Sequence, residues 1–408
     1  MATASGTAAL SAPPEPNLQR ALRIVTRMMA IPGRSGEEKQ VAAFIREQLR
    51  AAGIPAKAIS ADDAHRKTPE PGNQGNLMVV LPGTQPGPRR LLSAHLDTVP
   101  LCVGCKPQLQ PDGRTMRSAV PTTGLGADNR AGSAAILCAA LEIAERKLPH
   151  PPLSLCWFVQ EEPGLQGVRH VRAAHLGNPR LAFNWDGSNP VGLAIAATGS
   201  QRIRISVRGL ATHAGSAPQK GISAVAAVAR AIADLDRRGW HGKVTKSGKS
   251  GTSNVGFVHG GGATNVVTDL VEVHAEARSH DREFRLRIVE EIEQAFRKAV
   301  DEVTNDAGRA GRITFKASHD YESYRLARDE PSVAAAAAAI RSIGRKPVEE
   351  IAQGAFDANW LISKGIPSIT LGTGQRNVHT VKESLVVRDF QTACRLALRL
   401  ATGTENGG

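Results

Sequence analysis

The chain has 408 residues, 41% of them hydrophobic and 22% charged, with a formal net charge of +13. This is enough for roughly two or three domains with cores of their own, and no apolar stretch reaches the length of a membrane span, so no membrane partner is expected. The excess charge raises nucleic acid as a partner. Its carriers are dispersed, however, at Arg89 and Arg90, at Arg202, Arg204 and Arg208, at Arg237 and Arg238, and at Arg341 and Arg345. They read as solvated faces, and no nucleic-acid partner is expected.

Residues 1–16 are small, polar and Pro-containing, without the basic and apolar regions of a signal peptide. They predict a disordered tail. Helical apolar spacing follows over 18–29. Ser35 stands three residues before Glu38 in a capping-box pattern that predicts a second helix over 37–52. Apolar runs at 76–81 and 90–95 predict strands. The second delivers His95 and Asp97, two residues apart and therefore on one strand face, before Pro100 ends the run. Cys102 and Cys105 form a C-x-x-C without the further pair a structural zinc needs. Five cysteines, an odd number, fit a reducing cytoplasm.

After a Gly/Pro-rich loop, Gly124–Gly132 leads into an Ala/Leu-rich helix ending near residue 147. Asp128 at its mouth reads either as an N-cap or as a ligand, and the flanking glycines permit a closer backbone approach than a cap requires. The apolar strand 153–159 runs straight into Glu161 and Glu162, two adjacent carboxylates that repel one another if both are charged. A short strand at 181–184 leads to Asp186. His95, Asp128, Glu161, Glu162 and Asp186 thus all fall at element ends in a β/α succession, where α/β sheets assemble their sites.

Alternation of apolar and basic residues over 200–209 marks a change to a half-exposed strand. A loop containing His213 follows, then a helix over 222–235. Strands are predicted at 253–258 and 269–278 around Gly260, Gly261 and Gly262, a helix over 281–303 and a strand over 312–318. This β-α-β-β-α-β order is a ferredoxin-like insertion. The first style then resumes, with a helix at 332–343, a strand at 368–371 and a helix at 387–402. The predicted domains are a catalytic domain in two parts, 17–198 and 321–408, and an inserted domain over 199–320.

The blocks H-x-D at 95–97, G-A-D-N-R-A-G at 126–132, E-E-P-G at 161–164, D-G at 186–187 and the late G-x-x-x-x-H-T ending at 379–380 occur in one order. Together they resemble the dinuclear zinc peptidases that include peptidase T, glutamate carboxypeptidase and the aminoacylases, and are closest to peptidase T-like members. The resemblance implies an α/β/α sandwich catalytic domain with an inserted α+β lid that also serves dimerisation. It implies two zinc ions, with cobalt or manganese as substitutes. His95 and Asp186 would hold one ion, Glu162 and His379 the other, with Asp128 bridging. Asp97 would orient His95. Glu161 would be the general base, deprotonating the bridging water and passing the proton to the leaving amine. His213 would polarise the scissile carbonyl, and Asn265 and Arg278 would grip polar groups of the substrate. Asp357 would contact substrate or orient its loop, and Glu383, which follows His379 at a helix start, would serve either the site or the helix dipole and cap. Asn129 departs from the aspartate of many members, and Ala214 from their proline.

The implied activity is release of N-terminal residues from short peptides, of the tripeptidase type, by a cytoplasmic homodimer joined through the lid. The alternative within the same chemistry is a carboxypeptidase or an N-acyl-amino-acid amidohydrolase. A non-catalytic metal- or nucleic-acid-binding protein is a different class, and Glu161, a carboxylate beside the metals with no ligand role, argues against it.

Overall fold

A computed structural model describes residues 14–403. Most of the predicted tail lies outside them. Glu15 and Pro16, expected within it, belong to the folded part. The Glu15 carboxylate pairs with Arg395 at 2.7 Å and Arg399 at 3.5 Å, and its carbonyl accepts from Arg146. These partners lie far along the chain and leave no local signal.

The described chain divides into two compact units, the first comprising residues up to Ile195, Leu326–Glu350 and Phe356 onward. Its sheet contains β1 (Ile59–Ala61), β2 (Leu77–Leu81), β3 (Arg90–His95), β4 (Leu153–Phe158), β5 (Leu181–Gly187), β6 (Gly192–Ala197) and the strand Ser368–Gly372. The order is β1-β2-β4-β3-β5, then Ser368–Gly372, then β6. β3 runs parallel to β4 and β5, and Ser368–Gly372 runs parallel to β5. Every residue of β3 and β4 is buried, the continuous apolar pattern of parallel strands covered on both faces. Helix Ala127–Arg146 packs against β3 and β5. Its Gly132 lets the backbones approach, since a Cβ there would stand 2.2 Å from the Trp185 carbonyl oxygen.

Parallel strands deliver their carboxyl ends to one side of the sheet. Residues 95–97, 160–162 and 186 therefore emerge together. A separate four-stranded sheet, ordered Gln375–Arg376, Ser384–Val386, Thr115–Ser118 and Pro107–Leu109, ties the segment bearing His379 to the loop after β3.

The second unit is Ala196–Arg325 with Ile351–Ala355. Its strands are β7 (Gly199–Arg208), β8 (Gly242–Lys246), β9 (Lys249–Gly260), β10 (Leu270–Ser279) and β11 (Arg312–Tyr321), in the antiparallel order β8-β9-β10-β7-β11. Ile203, Ile205 and Val207 of β7 enter a core shared with helices Ala224–Arg237 and Arg282–Glu302, while Arg202, Arg204 and Arg208 face outward. The connectivity is ferredoxin-like with one added edge strand. β8, of sequence GKVTK, buries only Val244, which explains why apolar patterning does not mark it. The return of Ile351–Ala355 to this unit is equally unmarked. It rests on backbone bonds from Ala352 N–H to Ala196 and from Thr198 N–H to Gly354.

Candidate active site

His95 ends β3 and is 1% exposed. Its Nδ1 lies 3.1 Å from the Asp97 carbonyl and 3.3 Å from Asp97 Oδ1. This holds the ring with Nε2 directed at Asp128 Oδ1 (3.2 Å), Asp186 Oδ1 (3.5 Å) and Glu161 Oε2 (3.9 Å). Asp97 does more than orient the imidazole. Its carboxylate accepts the Ser35 hydroxyl at 2.7 Å and the N–H groups of Glu161 at 3.0 Å and Glu162 at 3.2 Å. Glu38, wholly buried, accepts from Gly36 N–H at 2.8 Å and Gln160 N–H at 3.0 Å. Two buried carboxylates thus hold three consecutive amides, including that of Gln160 at φ 50°.

This corrects the capping-box expectation, because Ser35 bonds Asp97 instead of a helix amide and the helix begins at Lys39. Ser35 and Glu38 are both hydrogen-bonded, but to Asp97 and to the Gly36 and Gln160 amides, not to one another. Arg130, 1% exposed, donates to the Gly33 carbonyl at 3.0 Å and offsets the charge of Asp97 and Glu38.

Asp128 follows Gly126, whose φ of 74° opens the mouth of helix Ala127–Arg146. The N-cap reading is not realised, since Gly126 occupies that position and Asp128 makes no side-chain cap. Instead its two oxygens face two imidazoles, Oδ1 toward His95 and Oδ2 toward His379 Nε2 at 3.3 Å. His379 Nε2 also lies 3.0 Å from Glu162 Oε2. Asn129 is spent on structure, donating to the Trp185 carbonyl at 2.6 Å and accepting from Gly132 N–H at 3.0 Å.

Ligand atoms of His95, Glu161 and Asp186 lie within 4.8 Å of one another, as do those of His95, Asp128 and Glu162. Burial, reinforced by Asp128 and Glu162, pushes Asp186 up to about 7. Burial likewise raises Glu161 well above the carboxylate range, with Asp186 and Glu162 adding to it, and raises Glu162. Hydrogen bonds to Asp128 and Glu162 raise His379 to about 10. Burial opposes the charged form of His95, yet Asp186 and Glu161 outweigh it and hold the ring well above the usual range. Carboxylates driven toward neutrality around strongly basic imidazoles lack positive charge, which divalent cations supply. The donors are imidazole nitrogen and carboxylate oxygen without thiolate, a set that suits zinc, cobalt or manganese. The residues fit such ions.

Asp357 begins helix Asp357–Ser363, is wholly buried, and neither of its oxygens has a hydrogen-bond partner among the described residues. Burial raises its carboxyl, and the charge of Asp186 adds to this. His213 and Asn265 lie in the second unit, both exposed. They are neighbours, with Ala214 N–H donating to the Asn265 carbonyl at 2.8 Å and His213 Nδ1 accepting from Gly215 and Ser216. Arg278, half-buried on β10, is paired with Glu276 at 2.9 Å. Burial raises both thiols of the C-x-x-C, Cys105 to about 11, a state that disfavours the reactive thiolate.

A carboxylate–imidazole cluster, buried except at His379, at the carboxyl ends of parallel strands defines a metal-dependent hydrolase. The chain matches peptidase family M20/M25/M40 over residues 91–403 and belongs to that family. A tripeptidase from Staphylococcus aureus subsp. aureus Mu50 is 29% identical, with a TM-score of 0.83 covering 95% of this chain and 99% of that one. The aminopeptidase PepT from Bacillus cereus ATCC 10987 is 27% identical, with a TM-score of 0.78 over 95% and 98%. A probable carboxypeptidase from Talaromyces marneffei is 30% identical over 290 residues, spanning 66% of this chain and 61% of that protein.

Proposed function

We propose that this peptidase is a zinc-dependent exopeptidase of the tripeptidase, peptidase T-like type, releasing N-terminal residues from short peptides. The observation that carries the reading is Asp128, which presents one oxygen to each of two imidazoles that are in turn flanked by Asp186 and Glu162. His95 and Asp186 would hold one ion and Glu162 and His379 the other, with Asp128 available to both. Bound there, two divalent ions supply Lewis-acid polarisation and a more acidic water. Zinc is the ion proposed, with cobalt or manganese able to replace it.

Glu161, next to the ligand Glu162 and held by its own amide on Asp97, takes a proton from the attacking water at its carboxylate. It then returns that proton to the leaving amine. His213 stabilises the developing oxyanion, and Asn265 and Arg278 bind polar groups of the peptide. Asp357, wholly buried, serves to orient its loop more than to touch substrate. The chain works in the cytoplasm as a homodimer joined through its second unit. Full-length similarity to a tripeptidase and to PepT supports the amino-end specificity over the carboxypeptidase reading, whose relative matches over a shorter span.

The test is metal analysis joined to a panel of free-amine tripeptides, dipeptides and N-acyl amino acids. Turnover of tripeptides with a free amine is expected, and preference for N-acyl amino acids would overturn the specificity. Glu161→Ala is expected to keep its metal and lose about 10²–10⁴-fold in kcat. Near-native turnover removes Glu161 as the base.

A further inference from the structure

Glu383 stands four residues after His379 and is 2% exposed. Its own helix does not begin until Val387, so the expected cap at that helix start is not what it provides. The carboxylate instead reaches the mouth of helix Ala127–Arg146. Oε2 accepts from Leu125 N–H and Gly126 N–H, both at 2.7 Å, and Oε1 accepts from Asp128 N–H at 3.0 Å. The Cys102 thiol donates to Oε2 at 3.5 Å. Cys102 closes the turn Pro100–Cys102 that follows His95 and Asp97. One side chain therefore joins the three segments that bear His95, Asp128 and His379.

We infer that Glu383 is a positioning residue that sets the separation of Asp128 and His379 and arranges the donors before a cation arrives. The inference rests on the metal-site reading above. His379 and Glu383 share one rigid turn, in which Glu383 N–H donates to the Thr380 carbonyl at 3.1 Å and His379 sits at φ 61°. The strand Ser384–Val386 fixes the far side of that turn by pairing with Thr115–Ser118. On the other side, the Asp128 amide that Oε1 holds is one residue's backbone away from the carboxylate that faces both imidazoles. Moving Glu383 moves the two sides apart. The role needs an acceptor-only group: in Glu383→Gln the amide nitrogen meets an N–H of the helix mouth and leaves a donor unsatisfied.

Zinc affinity measured by chelator competition on the full-length protein tests this, with kcat, KM and the melting temperature of the metal-free protein followed alongside. Glu383→Gln, and Glu383→Asp, whose shorter arm cannot span both sides, are expected to lose about 10–100-fold in zinc affinity. kcat should fall with KM little changed. Val25→Ala, a core truncation in helix Leu18–Ala30, serves as a control for lost stability and is expected to keep its zinc affinity. Affinity within twofold of wild type in either folded Glu383 variant, or an equal loss in Val25→Ala, overturns the inference. Wild type alone gives a second check by hydrogen exchange. Residues 124–129 are expected to be protected without metal, and protection gained only on adding zinc overturns prior arrangement. A wild-type protein that binds no zinc instead defeats the metal-site reading itself, which separates the two failures.

Discussion

At the scale of single residues, the site is built from carboxylates in two occupations. Asp128, Glu162 and Asp186 present oxygens to the imidazole Nε2 atoms, whereas Glu38 spends its oxygen on backbone amides and Asp97 divides its own between amides, the Ser35 hydroxyl and the far side of His95. Asp97→Ala is therefore expected to reduce kcat more than it reduces zinc retention, because it frees the amides of Glu161 and Glu162 along with the His95 ring. Equal losses in both measurements would falsify that division of labour. Glu38 leads to a prediction in pH. Burial, with the charge of Asp97, raises its carboxyl to about 7, above its unfolded value. Its contribution to stability is then complete below about pH 4.5 and is lost as pH rises through about 7. Relative to Glu38→Gln, the wild type should lose on the order of 1–3 kcal/mol between pH 5 and pH 8, read from urea midpoints at each pH. A difference that stays constant with pH contradicts a buried ionising Glu38. The candidate donors that cluster in the structure are legible in the sequence because each sits inside a local motif at an element's end. The partners of Ser35, Glu38 and Glu383 are not, since they lie 62, 122 and 255 residues away and spacing records only neighbours.

At the scale of elements, what reads well is what buries well. β3, β4 and β5 announce themselves by largely apolar runs, and β7 by alternation. β8 and the two-residue strand Gln375–Arg376 stay silent because their pairing is made by backbone groups that every sequence carries. The glycines around Asp128 were suggestive in the sequence, and the structure supplies the reason at Gly132. A Cβ there would stand 2.2 Å from the Trp185 carbonyl oxygen and 2.3 Å from Asn129 Oδ1, both fixed by hydrogen bonds. Gly132→Ala should force helix Ala127–Arg146 away from β5 and cost about 1–3 kcal/mol, accompanied by weaker zinc binding as Asp128 shifts. A variant as stable as wild type would show that the helix yields freely at this crossing.

At the scale of the whole molecule, the chain passes between its two units at 195/196, 325/326, 350/351 and 355/356. Each unit nonetheless owns its core, that of the second being formed by β7, β8, β10 and its two helices. The candidate donors His95, Asp128, Glu162, Asp186 and His379, with Glu161 beside them, all belong to the first unit. Chelating the metal should therefore lower the melting transition of that unit alone, by roughly 5–10 °C if zinc had been present at about 100 times its Kd. Calorimetry that shows one transition moving as a whole would mean that the units unfold together.

The strand Ser368–Gly372 lies between β5 and β6, and this has a consequence for biosynthesis. On the ribosome β5 and β6 are made early and cannot become neighbours, because the plank that separates them is translated only after the entire second unit. Until then the growing sheet carries two open edges, the kind of surface that chaperones shield. His379 follows that strand by a few residues. The nascent chain therefore acquires the last of its candidate donors only as it closes its sheet.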